Sequence, residues 1–330
     1  MHALPVLAAV RRAWPLAHVA WLIGSGFQSL LAGHSMIDEL IPFDRRHFAR
    51  VWYSPRVMAD FYRFARDLRR RRFELVLDLQ GLVRSGLFAW LTGARRRLGP
   101  ADAREFAWIF YTQRVRWPAD AHAVDKLLAV LPAIGISTAR ADFPLEVRDS
   151  ERAAAGKALA TQTQEAVPEY IVLLPGARWG SKRWPVAHTV ELLRRLHAAG
   201  APRCVLAGAP DERALAAAIT AEAPSRWLID LVGRTDLRVL TALIAGARLV
   251  ISQDSGPMHI AAALGVPTVS LFGPTNPRRT GPYSPAAEVL QHRLPCMPCY
   301  RRTCPLGHHD CMGKLTPDVV ARAVLARLSQ

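Results

Sequence analysis

At 330 residues the chain is long enough for two domains with separate cores, and its 51% hydrophobic and 21% charged content is that of a soluble globular protein. No apolar run approaches the ~20 residues of a membrane-spanning helix, and Arg11 and Arg12 interrupt the first apolar stretch, which disfavours a signal peptide. The net charge of +16 calls for an anionic partner, either anionic lipid or a phosphorylated substrate; nucleic acid is disfavoured because no zinc-finger or RNA-binding signature accompanies the dispersed Arg.

In chain order, residues 2–14 carry an apolar stripe at helical spacing (Leu4, Leu7, Ala8, Val10), and residues 19–23 read as a strand after Pro15. Residues 41–44 suggest a short strand, 61–72 a basic helix, and 73–79 a buried strand that ends in the glycine-bearing turn Gln80-Gly81 before a helix through Trp90. Residues 95–99 return to a sheet, 106–111 are rich in aromatics, and 122–134 read as a helix. The Ala-, Gln- and Glu-rich residues 149–168 read as a helix plus linker at the domain boundary, placed at 155/156. Beyond it the pattern alternates: strands at 170–174, 203–207, 228–232, 249–252 and 267–272, helices at 186–198, 211–221, 237–245 and 256–264. That is the pattern of a parallel sheet with helices on both faces.

Four turns follow the carboxyl ends of those strands, where an open parallel sheet binds its ligands: residues 175–184, 208–212, 253–259 and 273–277. The first offers small residues for close backbone approach (Gly176, Ala177, Ser181) and cations for phosphate (Arg178, Lys182). Glu212 suits ribose hydroxyls. Asp254, Ser255 and Gly256, with Pro257 in the first helical turn beside Met258 and His259, present unpaired backbone N–H groups to an anion. The competing structural reading is an ordinary strand–helix–strand unit in which Asp254 caps the helix. Together the turns favour a nucleotide-diphosphate site. No Gly-x-Gly-x-x-Gly follows a strand and no Gly-Lys-Ser/Thr loop occurs, which disfavours dinucleotide dehydrogenases and P-loop proteins.

The segments Leu174-Pro-Gly-Ala…Lys182-Arg-Trp-Pro, Asp254-Ser-Gly-Pro-Met-His and Phe272-Gly-Pro-Thr-Asn-Pro closely resemble glycosyltransferase family 9, the ADP-heptose:lipopolysaccharide heptosyltransferases, as do Leu77-Asp-Leu-Gln-Gly-Leu-Val-Arg-Ser and Ala103-Arg-Glu. The resemblance covers essentially the whole chain. It implies an α/β, GT-B architecture: two Rossmann-like domains facing across a cleft, residues 1–155 for the acceptor and 156–330 for the ADP-sugar, with the helix at 317–328 packing back toward the first domain. It also implies an inverting transfer of heptose from ADP-L-glycero-D-manno-heptose to the lipopolysaccharide inner core, with no cofactor required. Lys182 would neutralise the diphosphate, Glu212 would hold the ribose, and residues 254–259 would line the diphosphate and heptose near Thr275 and Asn276. Gln80, Arg84 and Arg104 would face the acidic acceptor, a lipid A–Kdo or core oligosaccharide. For Gln80 and Arg84 the alternative is a helix start with a solvated Arg. The site is expected in the cytoplasm, with peripheral contact to the inner membrane.

Family members open with a strand and a Ser/Gly-Asp turn whose Asp is the general base, and no acid stands upstream of His2 here. A start codon assigned too late is the expectation. The rivals are a catalytically impaired sugar-nucleotide binder and, from other chemistry, a sugar-nucleotide epimerase. His2 is a poor substitute base at a terminus. A second unusual feature is Cys296-x2-Cys299-x4-Cys304-x6-Cys311, with His308 and His309, a tail similar to those of other family members. These thiols admit a structural zinc, disulfides or a plain reduced loop, and a cytoplasmic setting favours metal over disulfide. Cys204 reads as core.

Overall fold

The computed structural model describes residues 1–137, 141–224 and 226–330. The chain divides into two compact units, His2–Pro144 and Leu145–Gln330, the latter joined by Met1.

The N-terminal unit runs α1 (Leu4–Ala13), β1 (Ala20–Gly24), α2 (Gln28–Leu31), β2 (Glu39–Phe43), α3 (Arg45–Phe48), α4 (Pro55–Arg70), β3 (Leu75–Leu77), α5 (Val83–Leu91), β4 (Arg96–Pro100), β5 (Gln113–Val115) and α6 (Ala123–Leu128). All its strand pairs are parallel, but they form two sheets, β1–β2 and β3–β4–β5, rather than the single sheet of a Rossmann-like domain. Leu75, Val76 and Leu77 of β3 are accordingly only half-buried. An aromatic core joins the elements: Phe43 of β2 lies 4.6 Å from Phe88 of α5 and 5.1 Å from Phe48. Residues 106–111 form no strand; Arg104–Phe110 is a 3₁₀ segment in which Glu105 and Phe106 adopt positive φ of 57° and 61°. The predicted helix at 122–134 stops early because Pro132 cannot continue it.

The C-terminal unit runs α7 (Asp149–Thr163), β6 (Tyr170–Leu174), α8 (Val186–Ala198), β7 (Arg203–Leu206), α9 (Arg213–Thr220), β8 (Leu228–Asp230), α10 (Leu237–Ala245), β9 (Leu249–Gln253), α11 (Gly256–Ala263), β10 (Thr268–Phe272), α12 (Pro277–Thr280), β11 (Ala287–Gln291), α13 (Asp310–Gly313) and α14 (Pro317–Leu328). Its six strands form one parallel sheet in the order β11-β10-β9-β6-β7-β8. Successive side chains of a strand point to opposite faces, and β6 shows it: Ile171 and Leu173 join the core beneath α8, α9 and α14, whereas Tyr170, Val172 and Leu174 join the core beneath α7, α10 and α11. Both faces being covered, β6, β9 and β10 are buried along their whole length.

One boundary expectation changes. The units divide at Pro144/Leu145 rather than 155/156, because the helix expected within residues 149–168, α7, belongs wholly to the C-terminal unit: Ala155 and Leu159 are buried in its core and α7 packs on α10. Helix α14 packs on α8, β9 and β10 of its own unit, through Val320, Ala321 and Val324. The buried Trp184 ties the start of α8 to this region, its Nε1–H donating to the Leu315 carbonyl at 2.8 Å. Trp184→Phe strands that carbonyl and leaves a void, so urea denaturation should show a loss of about 1–3 kcal/mol; an unchanged midpoint would contradict this role.

Candidate functional site

The sheet order places the site. Chain direction across the sheet reverses between β6 and β9: from β6 the chain builds outward through β7 and β8, and from β9 through β10 and β11. The loops leaving β6 and β9 enter helices on opposite faces, so a crevice opens between their carboxyl ends. Lys182 comes from the first loop and Asp254 from the second. Lys182 Nζ lies 2.6 Å from Asp254 Oδ2, with the two side chains 16% and 7% exposed. Thr275, in the turn after β10, donates its hydroxyl to the same Oδ2 at 2.6 Å. The Lys182 ammonium also stands 4.6 Å from the centroid of the Trp179 ring.

Asp254 therefore does not cap α11. The N-cap is Ser255, whose hydroxyl lies 3.3 Å from that of Ser252, and among the described residues no side chain caps the helix. Pro257 needs no partner in the first turn, Gly256 is exposed, and a Cβ built on Gly256 would meet nothing within 4 Å. The positive end of the α11 dipole thus faces open space beside Lys182 and Asp254.

Glu212 begins α9 at the end of β7. Its carboxylate is wedged between two backbone turns: a Cβ on Gly176 would lie 1.7 Å from Glu212 Oε1, and one on Gly208 would lie 2.2 Å from Oε2. The Ala209 N–H donates to Oε2 at 3.0 Å. Burial nevertheless raises the Glu212 pKa above its ordinary value, against the lowering by that hydrogen bond. Close approach of the Glu212 side chain therefore leaves no room for a Cβ at either glycine.

The remaining expected donor residues separate by exposure. Arg178 is exposed, and Pro257 and His259 are half-exposed. Ala177 is 2% exposed, and its carbonyl accepts from Arg183 Nε at 3.0 Å. The Ser181 hydroxyl is spent on the Arg301 carbonyl at 2.6 Å, so it holds the loop rather than a ligand. Met258 is fully buried at 0% exposure and has no surface to offer a donor; its expected lining role is corrected on that ground. Sequence reading missed Gln291, at the end of β11, whose carboxamide donates to the Gly273 and Thr275 carbonyls at 3.2 and 3.0 Å and so fixes the Thr275 turn. Gln253, the first residue of the 253–259 turn, was not singled out; it is 3% exposed and its Oε1 has no partner among the described residues.

In the N-terminal unit the structure brings the three expected acceptor residues into one neighbourhood. The turn after β3 is held by buried Asp78, whose Oδ1 accepts from the Gln80 and Gly81 N–H groups at 2.9 and 3.1 Å and whose Oδ2 accepts from the Tyr111 hydroxyl at 2.6 Å. Gly81 adopts φ +67°, and its carbonyl accepts from the Arg104 N–H at 2.9 Å. Gln80 and Arg104 are exposed; Arg84, half-exposed, lies 6.0 Å from the Phe43 ring. His2 packs edge-on to His122 at 5.7 Å, and burial lowers its pKa to about 4, which makes it a weak base at neutral pH. The four clustered cysteines are unpaired, and among the described residues no group of three or more His, Cys, Asp or Glu side chains is already arranged around a metal position.

A sequence model of glycosyltransferase family 9 (heptosyltransferase) matches residues 61–309. The chain belongs to this family. It is 31% identical over 310 residues, 92% of this chain and 83% of the relative, to lipopolysaccharide heptosyltransferase 1 of Pseudomonas aeruginosa. The solved structure of E. coli heptosyltransferase WaaC with ADP superposes with a TM-score of 0.79 at 26% identity, covering 99% of this chain and 95% of that one. E. coli ADP-heptose LPS heptosyltransferase II shares the fold, with a TM-score of 0.78 at 23% identity over 100% of this chain and 95% of that one. This family-9 chain is thus a glycosyltransferase of the α/β, GT-B class.

Proposed function

We propose that the chain transfers heptose from ADP-L-glycero-D-manno-heptose to the inner core of lipopolysaccharide, with the donor in the crevice between β6 and β9. The observation that carries the reading is the Lys182–Asp254–Thr275 cluster at the uncapped start of α11. A direct displacement at the anomeric carbon needs a stabilised leaving group and a base for the acceptor hydroxyl, and the residues assigned here supply the first. Lys182 and the α11 N–H groups meet the diphosphate, where negative charge grows as ADP departs. Both short contacts to Asp254 fall on Oδ2, leaving Oδ1 to accept from a heptose hydroxyl. Glu212 accepts from the ribose hydroxyls. Gln80, Arg84 and Arg104 bind the acidic acceptor, whose phosphates and carboxylates suit guanidinium forks. The test is calorimetric titration with ADP and with ADP-heptose, followed by transfer to a deacylated core acceptor; failure to take up either nucleotide sinks the reading.

Glu212 gives the site a pH dependence. The ionised carboxylate accepts hydroxyl bonds on both oxygens, whereas protonation turns one oxygen into a donor and removes the charge, so ADP affinity should fall on acidification, beginning above the ordinary carboxylate range because burial raises this pKa. In the unliganded protein the sign reverses: the raised pKa makes the fold lose stability as pH rises through it. Glu212→Gln should flatten the pH dependence of ADP binding; an unchanged profile would exclude Glu212 from the nucleotide contact.

We also propose peripheral contact with an anionic membrane, which supports a lipid-linked acceptor. Among the described residues no helix is long and apolar enough to cross a membrane. Exposed Trp52 and Tyr53 precede α4, and exposed Met58, Tyr62 and Arg66 repeat on that helix every four residues, amid exposed Arg56 and Arg63. Aromatic and basic residues together suit a headgroup layer. Trp52→Ala/Tyr62→Ala should weaken sedimentation with anionic vesicles about tenfold, by loss of buried apolar area; equal binding would contradict the assignment.

A further inference from the structure

The residues between β11 and α13 form no strand or helix, a length of irregular chain that compact domains use chiefly for function. Their cysteines gather. Cys296, Cys299, Cys304 and Cys311 line one small cavity, which Ser181 and His309 also border. Cys311 is 8% exposed, and its sulfur would stand 3.2 Å from a Cβ on Gly273. The Cys304 sulfur faces the backbone N–H groups of Leu306, Gly307, His308 and His309, the chain curling around it with Gly307 at φ +75°. A ring of N–H donors around one sulfur is the setting of a metal-bound thiolate, which such bonds stabilise.

The same loop braces two turns of the donor crevice. Ser181 donates its N–H to the Arg302 carbonyl at 3.1 Å and its hydroxyl to the Arg301 carbonyl, while His309 Nε2 bonds the Ser181 carbonyl at 2.8 Å. The Tyr300 N–H donates to the Pro274 carbonyl at 3.0 Å, beside Thr275. Lys182 and Thr275, which converge on Asp254, thus both rest on the cysteine loop.

We propose that Cys296, Cys299, Cys304 and Cys311 bind one Zn²⁺ or Fe²⁺ ion as four thiolates, and that the ion fixes the loop bracing the Lys182 and Thr275 turns. Four thiolates in tetrahedral array select these metals over Mg²⁺ or Ca²⁺. Each thiol releases its proton to solvent on binding. The thiols line the cavity wall without converging on one point, so binding turns them inward. The bracing half of the proposal rests on the donor-site reading; the metal half does not.

Elemental analysis of protein grown in metal-replete medium and purified without a metal column should find close to one zinc or iron per chain. Cys299→Ser and Cys304→Ser should each cut that content about tenfold or more. Should the variants fail to fold, CoCl₂ titrated into metal-stripped wild-type protein should give thiolate-to-cobalt charge-transfer absorption. Metal-free wild-type protein that yields no such band, disulfides among the four cysteines, or soluble Cys→Ser variants that keep their metal would each overturn the site. Stripping the metal under reducing conditions should weaken ADP binding about tenfold, restored by ZnCl₂. Unchanged ADP affinity would overturn the bracing role, and a metal-loaded protein that binds no ADP would instead sink the donor reading.

Discussion

Lys182→Ala should lower the rate of heptosyl transfer about 100- to 1,000-fold, the loss that follows removal of one preorganised charge from a developing anion. The ammonium is anchored before any ligand arrives, by Asp254 at 2.6 Å and by the Trp179 ring. It therefore loses little freedom when a diphosphate arrives, and its charge is worth more in a crevice where it is 16% exposed than in bulk water. The defect should appear mainly in kcat, because charge on the leaving oxygen grows toward the transition state. The variant should also lose about 1–3 kcal/mol of stability: Asp254 is left buried against the Thr275 hydroxyl without its cation, though partial exposure of the pair discounts the full cost of breaking a buried ion pair. Lys182→Arg should restore little, since a forked guanidinium cannot meet Asp254 Oδ2 and a phosphate along the same short approach. Stopped-time transfer assays with thermal melts as control separate the two effects. Wild-type turnover in Lys182→Ala would remove this residue from the chemistry.

Gly176→Ala should reduce ADP affinity about 10- to 100-fold while leaving the fold nearly intact. The new methyl would meet Glu212 Oε1 at 1.7 Å and Cδ at 2.0 Å, so the carboxylate must leave its place. Because a flexible side-chain end moves rather than backbone, the cost in stability is small; the cost in function is the loss of a positioned acceptor, about 1.4–2.8 kcal/mol. Gly208→Ala, whose methyl would meet Glu212 Oε2 at 2.2 Å, should act in the same way. The double variants Gly176→Ala/Glu212→Gln and Gly208→Ala/Glu212→Gln should be little worse than Glu212→Gln alone, since the glycines serve the ribose only through that side chain. Additive losses would mean that the backbone at Gly176 or Gly208 touches the nucleotide directly.

Much of the C-terminal unit was legible because its strands are continuous apolar runs separated by helical periodicity; the predicted strand at 170–174 and helices at 186–198 and 237–245 match β6, α8 and α10. Strand β11 escaped detection. Ala287-Glu288-Val289-Leu290-Gln291 is a half-buried edge with no apolar run, and its loss from view hid Gln291 as well. Helix α7 was expected as a helix, but at the domain boundary, because its Ala-rich sequence shows no amphipathic stripe to assign it to a core; it packs on α10 in the C-terminal unit. At the site, the residue types were legible and their partners were not. Asp254 looked equally like a helix cap, and only the approach of Lys182 and Thr275 from two other strand ends decides against that. Met258 was misplaced for a geometric reason: one step along a helix turns a side chain by about 100°, which carries it inward while its neighbours His259 and Pro257 keep some exposure. The positive φ of Glu105 and Phe106, and the halves of the N-terminal sheet, have no local sequence signature.

The account stands or falls on the ligand's position, and a crystal structure of the protein with ADP shows it directly. It should place the diphosphate within about 3 Å of Lys182 Nζ and of the first N–H groups of α11, with the ribose hydroxyls on Glu212. ADP bound away from the carboxyl ends of β6 and β9, with Lys182 and Asp254 paired as they are now and no nucleotide atom near either, would contradict it.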